Sequence, residues 1–315
     1  METRKLGNTG LEVPILSVGG APLGGEYGEV NQDLVNETIQ VAFENGMNLI
    51  DTSPWYGRTQ SEKNIGVGLK GIDRSSYIIT TKCGRYEPGK WDFSTERIKR
   101  SVPESMERLG LDYIDVVECH DIEWGDIHQV IDEALPVLRD YKEQGMIGFI
   151  GVTGYDLDLL EKVAVEEELD TMMTYCNYDL QNRSLLPVSK RLAEKGIGVF
   201  SDSPLSMGAL TAKGAPEWHP ADPAFLKRAQ EVAQLCRDNG TTIEKVAMQF
   251  SVNNPEDSGI STTVVGCSKP QNVLRNIAEI GVQPDPDLLK QIEEMFADWL
   301  DVSWDGLKPP KADKD

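Results

Sequence analysis

The sequence predicts an α/β chain closed into a (β/α)8 TIM barrel with an N-terminal β-hairpin, on three observations. Eight short runs rich in apolar and β-branched residues recur along the 315 residues. Amphipathic stretches of helical period alternate with them, and strict strand-helix alternation builds a parallel sheet. No Pro/Gly/Ser-rich linker interrupts the repeat, so closure is expected over an open doubly wound sheet. Residues 1–315 therefore read as one domain, with a frayed polar tail from Lys308 in KPPKADKD.

The first element is a turn at Gly7-Asn8-Thr9-Gly10, which bends a small hairpin across one barrel end. The strands follow as Ile15–Val18, Asn48–Ile50, Tyr77–Thr81, Ile114–Cys119, Ile147–Val152, Thr171–Tyr175, Gly198–Ser201 and Thr262–Val265. Helical patterns fill the intervals at Leu34–Glu44, Ser61–Leu69, Ser94–Leu109, Ile127–Gln144, Leu157–Val165 and Leu185–Lys195. Pro223–Asn239 with Thr242–Phe250 precedes the last strand, and Gln271–Ile280 follows it. Gly66-Val67-Gly68-Leu69-Lys70-Gly71 has the GxGxxG spacing of a dinucleotide loop, but it closes a helix where that loop must open one. Helix termination and close packing explain it better.

Composition narrows the partners. Lysine and arginine number 31 against 52 acidic residues, a formal charge of −21 that repels nucleic acid and anionic membranes. The acids are dispersed, as for solubility or salt adaptation, and not gathered into a tail. Five widely spaced cysteines without a CxxC pair fit reduced thiols in a cytoplasmic protein. METRKLGNTG lacks a secretion signal's apolar run, and no segment has the length of a membrane span. A monomer or weak homo-oligomer acting on a small molecule is expected.

In a barrel the C-terminal strand ends share one mouth, where catalysis takes place. Asp51 follows the second strand, Tyr56 stands five residues on, Lys82 ends the third and His120 ends the fourth. Each alone has a bland explanation: a turn cap, a half-buried aromatic, a snorkelling cation, a strand-end hydrogen bonder. Together they supply a proton relay. A free tyrosine, with a pKa of about 10, is a poor base at neutral pH. The cation of Lys82, held by Asp51, is expected to favour its phenolate while His120 orients the substrate oxygen. His120, Asp121, Glu123, Asp126 and His128 crowd one loop but lack HExxH spacing, so no metal is expected. Trp55, Trp91, Trp124, Trp218 and Trp304 fall in loops or the tail, where they either line a sugar-binding mouth or pin loops to the barrel. Trp55, His120 and Trp124 are the substrate candidates.

KLGNTGLEVPILSVGGAPLG, NLIDTSPWYG, ITTKCG, GFIGVTG and GCSKPQNVLRN, spread from Arg4 to Asn276, resemble the aldo-keto reductase family. The resemblance implies a nicotinamide-dependent oxidoreductase whose catalytic tetrad is Asp51, Tyr56, Lys82 and His120. It places the nicotinamide against Thr153, Gly154 and Tyr175, the pyrophosphate under Ser201-Asp202-Ser203-Pro204-Leu205, and the adenosine at Gly266, Ser268, Lys269, Asn272, Arg275 and Asn276. Ser268 and Asn272 are neutral where relatives often carry arginine, which favours NAD; Lys269 and Arg275 leave NADP open. KCGRYEPG, ECHDIEWGD, SDSPLSMGALT and GAPEWHPA further resemble the family's L-galactose, L-fucose and D-threo-aldose 1-dehydrogenase group. Tyr175, Asn177 and Asp202 depart from the glutamine, histidine and alanine found in relatives. The resemblance implies oxidation of a free sugar's anomeric carbon to a lactone, against two alternatives: an NADPH-dependent carbonyl reductase and a nicotinamide-binding redox-sensing subunit.

Overall fold

The computed structural model describes residues 1–303, so Trp304 and the tail from Lys308 lie outside the described residues. β1 (Thr3–Lys5) and β2 (Glu12–Pro14) pair antiparallel about the Gly7–Gly10 turn. β3 (Leu16–Gly19), β4 (Leu49–Asp51) and β5 (Ile78–Cys83) belong to the barrel. β6 (Arg85–Glu87) and β7 (Lys90–Trp91) form a second small hairpin. β8 (Ile114–His120), β9 (Ile147–Gly154), β10 (Thr171–Tyr175), β11 (Gly198–Asp202) and β12 (Thr262–Gly266) complete the barrel. Its closed order is β10-β11-β12-β3-β4-β5-β8-β9, every neighbouring pair parallel.

The helices are α1 (Gln32–Glu44), α2 (Gln60–Gly68), α3 (Thr95–Leu109), α4 (Ile127–Gln129), α5 (Leu135–Glu143) and α6 (Leu157–Glu166). α7 (Leu185–Glu194), α8 (Pro223–Asp238), α9 (Ile243–Val252), α10 (Pro270–Ile277) and α11 (Pro286–Met295) follow. Side chains satisfy their first amides at several starts: Asn31 on α1, Ser94 on α3, Asp156 on α6, Thr242 on α9 and Asp285 on α11. The helix expected over Ile127–Gln144 is broken by a π turn at Val130–Ala134. Pro136 explains the break, because it has no N–H to donate and its ring crowds the carbonyl four residues back.

Side-chain alternation divides the barrel interior into two levels. The lower level is apolar: Leu49, Ile78, Val116, Met173, Phe200 and Val264 pack against Leu6 and Val13 of the hairpin, which seals that end as expected. Each such side chain contributes about 1.5–3 kcal/mol by leaving water. The upper level carries Asp51, Lys82, Glu118, His120 and Asp202, at strand positions one or two residues beyond the apolar runs. The glycine decoy is a packing device: a Cβ on Gly66 would lie 2.4 Å from the Arg108 carbonyl of α3, and one on Gly68 would lie 2.5 Å from Ile39 of α1. Among the described residues all five cysteines are buried and unpaired, and no helix is long and apolar enough to cross a membrane.

Candidate active site

Three strands and their loops bring Asp51, Tyr56, Lys82 and His120 to the upper mouth. Lys82 Nζ donates to Asp51 Oδ1 and Oδ2 at 2.5 and 2.7 Å and to the Thr52 carbonyl at 3.0 Å, so its three N–H bonds are all engaged. Thr80 Oγ1 adds a bond to Asp51 at 2.8 Å. Both charged groups are 1% exposed, which makes their mutual attraction necessary to offset lost hydration. The Tyr56 ring centroid lies 4.9 Å from Lys82 Nζ and 5.9 Å from the His120 ring, edge to face at 88°. No hydrogen bond among the described residues occupies the Tyr56 hydroxyl, so it is left for a ligand.

The expectation that Lys82 would ease ionisation of Tyr56 is corrected. Burial, then the charges of Asp51, Asp202 and Asp121, raise the Tyr56 pKa well above its ordinary value. Asp51 neutralises the Lys82 cation, and the remaining carboxylates face the phenol with a net negative field.

His120 is a neutral imidazole, its pKa lowered by burial and then by the cations of Lys82 and Arg85. Ser53 Oγ lies 3.0 Å from His120 Nδ1 and accepts the Trp55 N–H at 3.1 Å. In the tautomer in which Ser53 donates to Nδ1, the imidazole proton sits on Nε2, where it can donate to a substrate oxygen.

A second set of residues walls this centre, of which Arg85 was unread in the sequence and Asp121 and Tyr175 were read in other roles. Arg85 Nη1 donates to Asp121 at 2.5 Å, and its guanidinium lies 4.2 Å from the Trp55 ring centroid and 5.1 Å from that of Trp91. Tyr175 donates to the other Asp121 oxygen at 3.2 Å. Asp121 adopts a left-handed backbone, φ 53°, directly after His120, which turns its carboxylate to these partners. Ser53, Arg85 and Asp121 all stand inside motifs that the sequence displays, but their side-chain direction depends on the turns.

Trp55 thus has one face on Arg85, and it borders a cleft of about 220 Å³ with Gly24, Gly25, Glu26, Gly57 and Arg58. Trp124 packs at 6.2 Å on Trp91, away from the tetrad contacts, and Trp218 pairs with Tyr27 at 5.8 Å on the outer rim. His120 and Asp121 enter the network above while His128 is exposed, and no group of three or more ligating side chains among the described residues could hold a metal.

The cofactor candidates occupy the flank away from β4 and β5. Thr153 lies in register with His120, and Gly154 sits so close to Glu123 that a Cβ would come within 2.0 Å of its carboxylate. Tyr175 ends β10 in register with Asp202 of β11, and its ring stands edge-on to Tyr155 at 4.3 Å. Ser201 is buried, Asp202 is part-buried, and Ser203, with φ 62°, donates to the Val264 carbonyl, tying the Pro204–Leu205 turn to β12. Beyond β12, Gly266, Ser268, Lys269 and Arg275 are exposed. Asn272 is part-buried and accepts from Ser268 at 3.0 Å. α10 starts at Lys269 without a side-chain cap, and buried Asn276 Oδ1 has no partner. The exposed Lys269 and Arg275 cations suit a phosphate and the orphaned amide oxygen suits an exocyclic amine, so these residues fit an adenine dinucleotide. Asn177, in contrast, bonds Tyr155 O and Thr174 Oγ1 and holds its own loop.

The family model for "Aldo/keto reductase family" matches residues 15–297. The chain belongs to that family. Membership makes it an oxidoreductase of nicotinamide-dependent type. It is 41% identical over 313 residues to L-galactose dehydrogenase of Arabidopsis thaliana, covering 96% of this chain and 97% of the relative. It is 32% identical to D-arabinose 1-dehydrogenase of Saccharomyces cerevisiae, covering 82% and 80%. The solved holo form of an aldo-keto reductase from Bacillus halodurans superposes with a TM-score of 0.76 at 24% identity, covering 94% of this chain and 96% of that one, a likeness of fold.

Proposed function

We propose that the chain oxidises the anomeric carbon of a free aldose, of the L-galactose, L-fucose or D-threo-aldose type, to the lactone with NAD. The observation that carries this reading is the unoccupied Tyr56 hydroxyl, held at the mouth between the Lys82–Asp51 pair and the neutral His120. The names of the two curated relatives, both sugar dehydrogenases, support the substrate class.

When bound, the nicotinamide supplies the acceptor for the hydride that leaves the anomeric carbon. Tyr56, after releasing its own proton to solvent at the mouth, takes the proton of the anomeric hydroxyl as the C–H pair departs and the C–O bond becomes a carbonyl. His120 donates through Nε2 to that oxygen and fixes its direction, while Asp51 keeps Lys82 beside the phenol. Thr153, Gly154 and Tyr175 are assigned to the nicotinamide, Ser201 to Leu205 to the pyrophosphate, and Gly266, Ser268, Lys269, Asn272, Arg275 and Asn276 to the adenosine. Ser268 and Asn272 satisfy each other as neutral groups, which suits a ribose hydroxyl and favours NAD over NADP. Trp55 offers its free face to the sugar, and Trp124 supports that wall through Trp91.

One observation favours a second reading. A phenol with a raised pKa stays protonated at neutral pH and so has a proton to give, which suits reduction of a carbonyl. A panel of free aldoses with NAD and NADP, followed by absorbance of the reduced cofactor and identification of the lactone, separates the two. Turnover of an L-galactose-type aldose with NAD is expected; activity confined to NADPH and carbonyl substrates would replace the proposal.

A further inference from the structure

The mouth holds more carboxylates than cations, and they are not equivalent. Asp51 is paired with Lys82 and Asp121 with Arg85, in each case at 2.5 Å. Glu118 lies deeper, 0% exposed, and takes a bond from Thr171. Asp202 has no ion-pair partner among the described residues; its carboxylate accepts the Ser203 N–H at 2.5 Å and a bond from the Ser203 side chain, and feels Lys82 only at a distance. β11, which ends at Asp202, stands four strands from β5 in the closed ring of eight, directly across the mouth from Lys82. A hydride acceptor and the proton acceptor Tyr56 must approach one sugar carbon from different sides. With Tyr56 on the β4 and β5 side, the acceptor ring belongs against β10 and β11.

Resting on the proposed function, we infer that Asp202, at the nicotinamide end of the segment assigned to the pyrophosphate and in register with Tyr175, is a selectivity residue for the redox state of the nicotinamide: its carboxylate favours the positively charged oxidised ring over the neutral reduced one. The oxidised cofactor is then retained and the reduced product released, which matches use in the oxidative direction. The effect depends on ionisation, and burial followed by the charge of Asp51 lifts Asp202 to about 7. The other titratable groups that sense the same space are Asp51, Lys82, Tyr56, Glu118, Tyr27 and Cys176. They remain in an Asp202→Asn variant but their titrations shift with the lost charge, so Asp202→Glu, which keeps the charge, is the control.

The test is equilibrium titration of the sugar-free protein with NAD and with NADH, read by quenching of tryptophan fluorescence, at about pH 6 and about pH 9. In the native protein the NADH-to-NAD ratio of dissociation constants is expected to rise about tenfold between the two, because ionised Asp202 meets only one charged ring. Asp202→Asn should flatten that rise, and Asp202→Glu should keep it. A ratio that is independent of pH in the native protein, or unchanged by Asp202→Asn, overturns the role of Asp202 and leaves the proposed function standing. Failure of the native protein to bind either nucleotide overturns both.

Discussion

The two ends of the barrel solve opposite problems with the same strands. At the lower end Phe200, Val116 and Met173 meet the hairpin residues Leu6 and Val13, and the packing is apolar and closed. At the upper end of the same strands Asp202, Glu118 and Tyr175 face a polar mouth. Two residues along one strand separate Phe200 from Asp202. Stability accrues where side chains leave water, whereas buried charge costs free energy that only pairing returns. The lower end therefore carries stability and the upper end carries chemistry.

Substitutions at the two ends should dissociate these properties. Lys82→Met should reduce kcat by about 10²–10⁴ while the cofactor dissociation constant stays within about threefold, because the side chain contacts the relay. Loss confined to cofactor binding would contradict that placement. Phe200→Ala, at the sealed end, should cost about 3–5 kcal/mol in denaturant unfolding and leave kcat per folded molecule unchanged. A lower end that altered kcat would end the division.

Glu118, at the boundary, gives the smallest effect and a pH signature. Burial, opposed by Lys82, lifts its pKa from an ordinary 4.5 to about 8, so the folded protein holds a proton that the unfolded chain releases. Its contribution is present below the unfolded pKa and is lost as pH rises through the folded value. Glu118→Gln should thus stabilise the protein by roughly 2 kcal/mol more at about pH 6 than in acid, seen as a larger gain in Tm. Equal gains at both pH values would mean that Glu118 is already ionised in the fold.

All eight barrel strands were legible because apolar runs record burial. Most of their C-terminal ends were read one or two residues short, since Asp51, Lys82, His120 and Asp202 continue the strands as polar residues facing the mouth, whereas β10 ends at Tyr175 as read. The tetrad could be read as chemistry at successive strand ends; its supports could not. Asp121 depends on a left-handed turn, Arg85 on a hairpin that periodicity does not announce, and the field on Tyr56 on carboxylates from separate strands. α11 was missed although Asp285-Pro286 is a sound helix start and Leu288, Leu289, Ile292 and Met295 keep helical spacing.

The central claim is that the Tyr56 phenol exchanges the proton when hydride leaves the sugar. Its most direct test is the single-turnover rate of cofactor reduction at saturating sugar, native protein against Tyr56→Phe, with folding checked by unfolding midpoint. A fall of about a thousandfold or more at unchanged stability is the predicted result; a variant that turns over at the native rate would contradict the account.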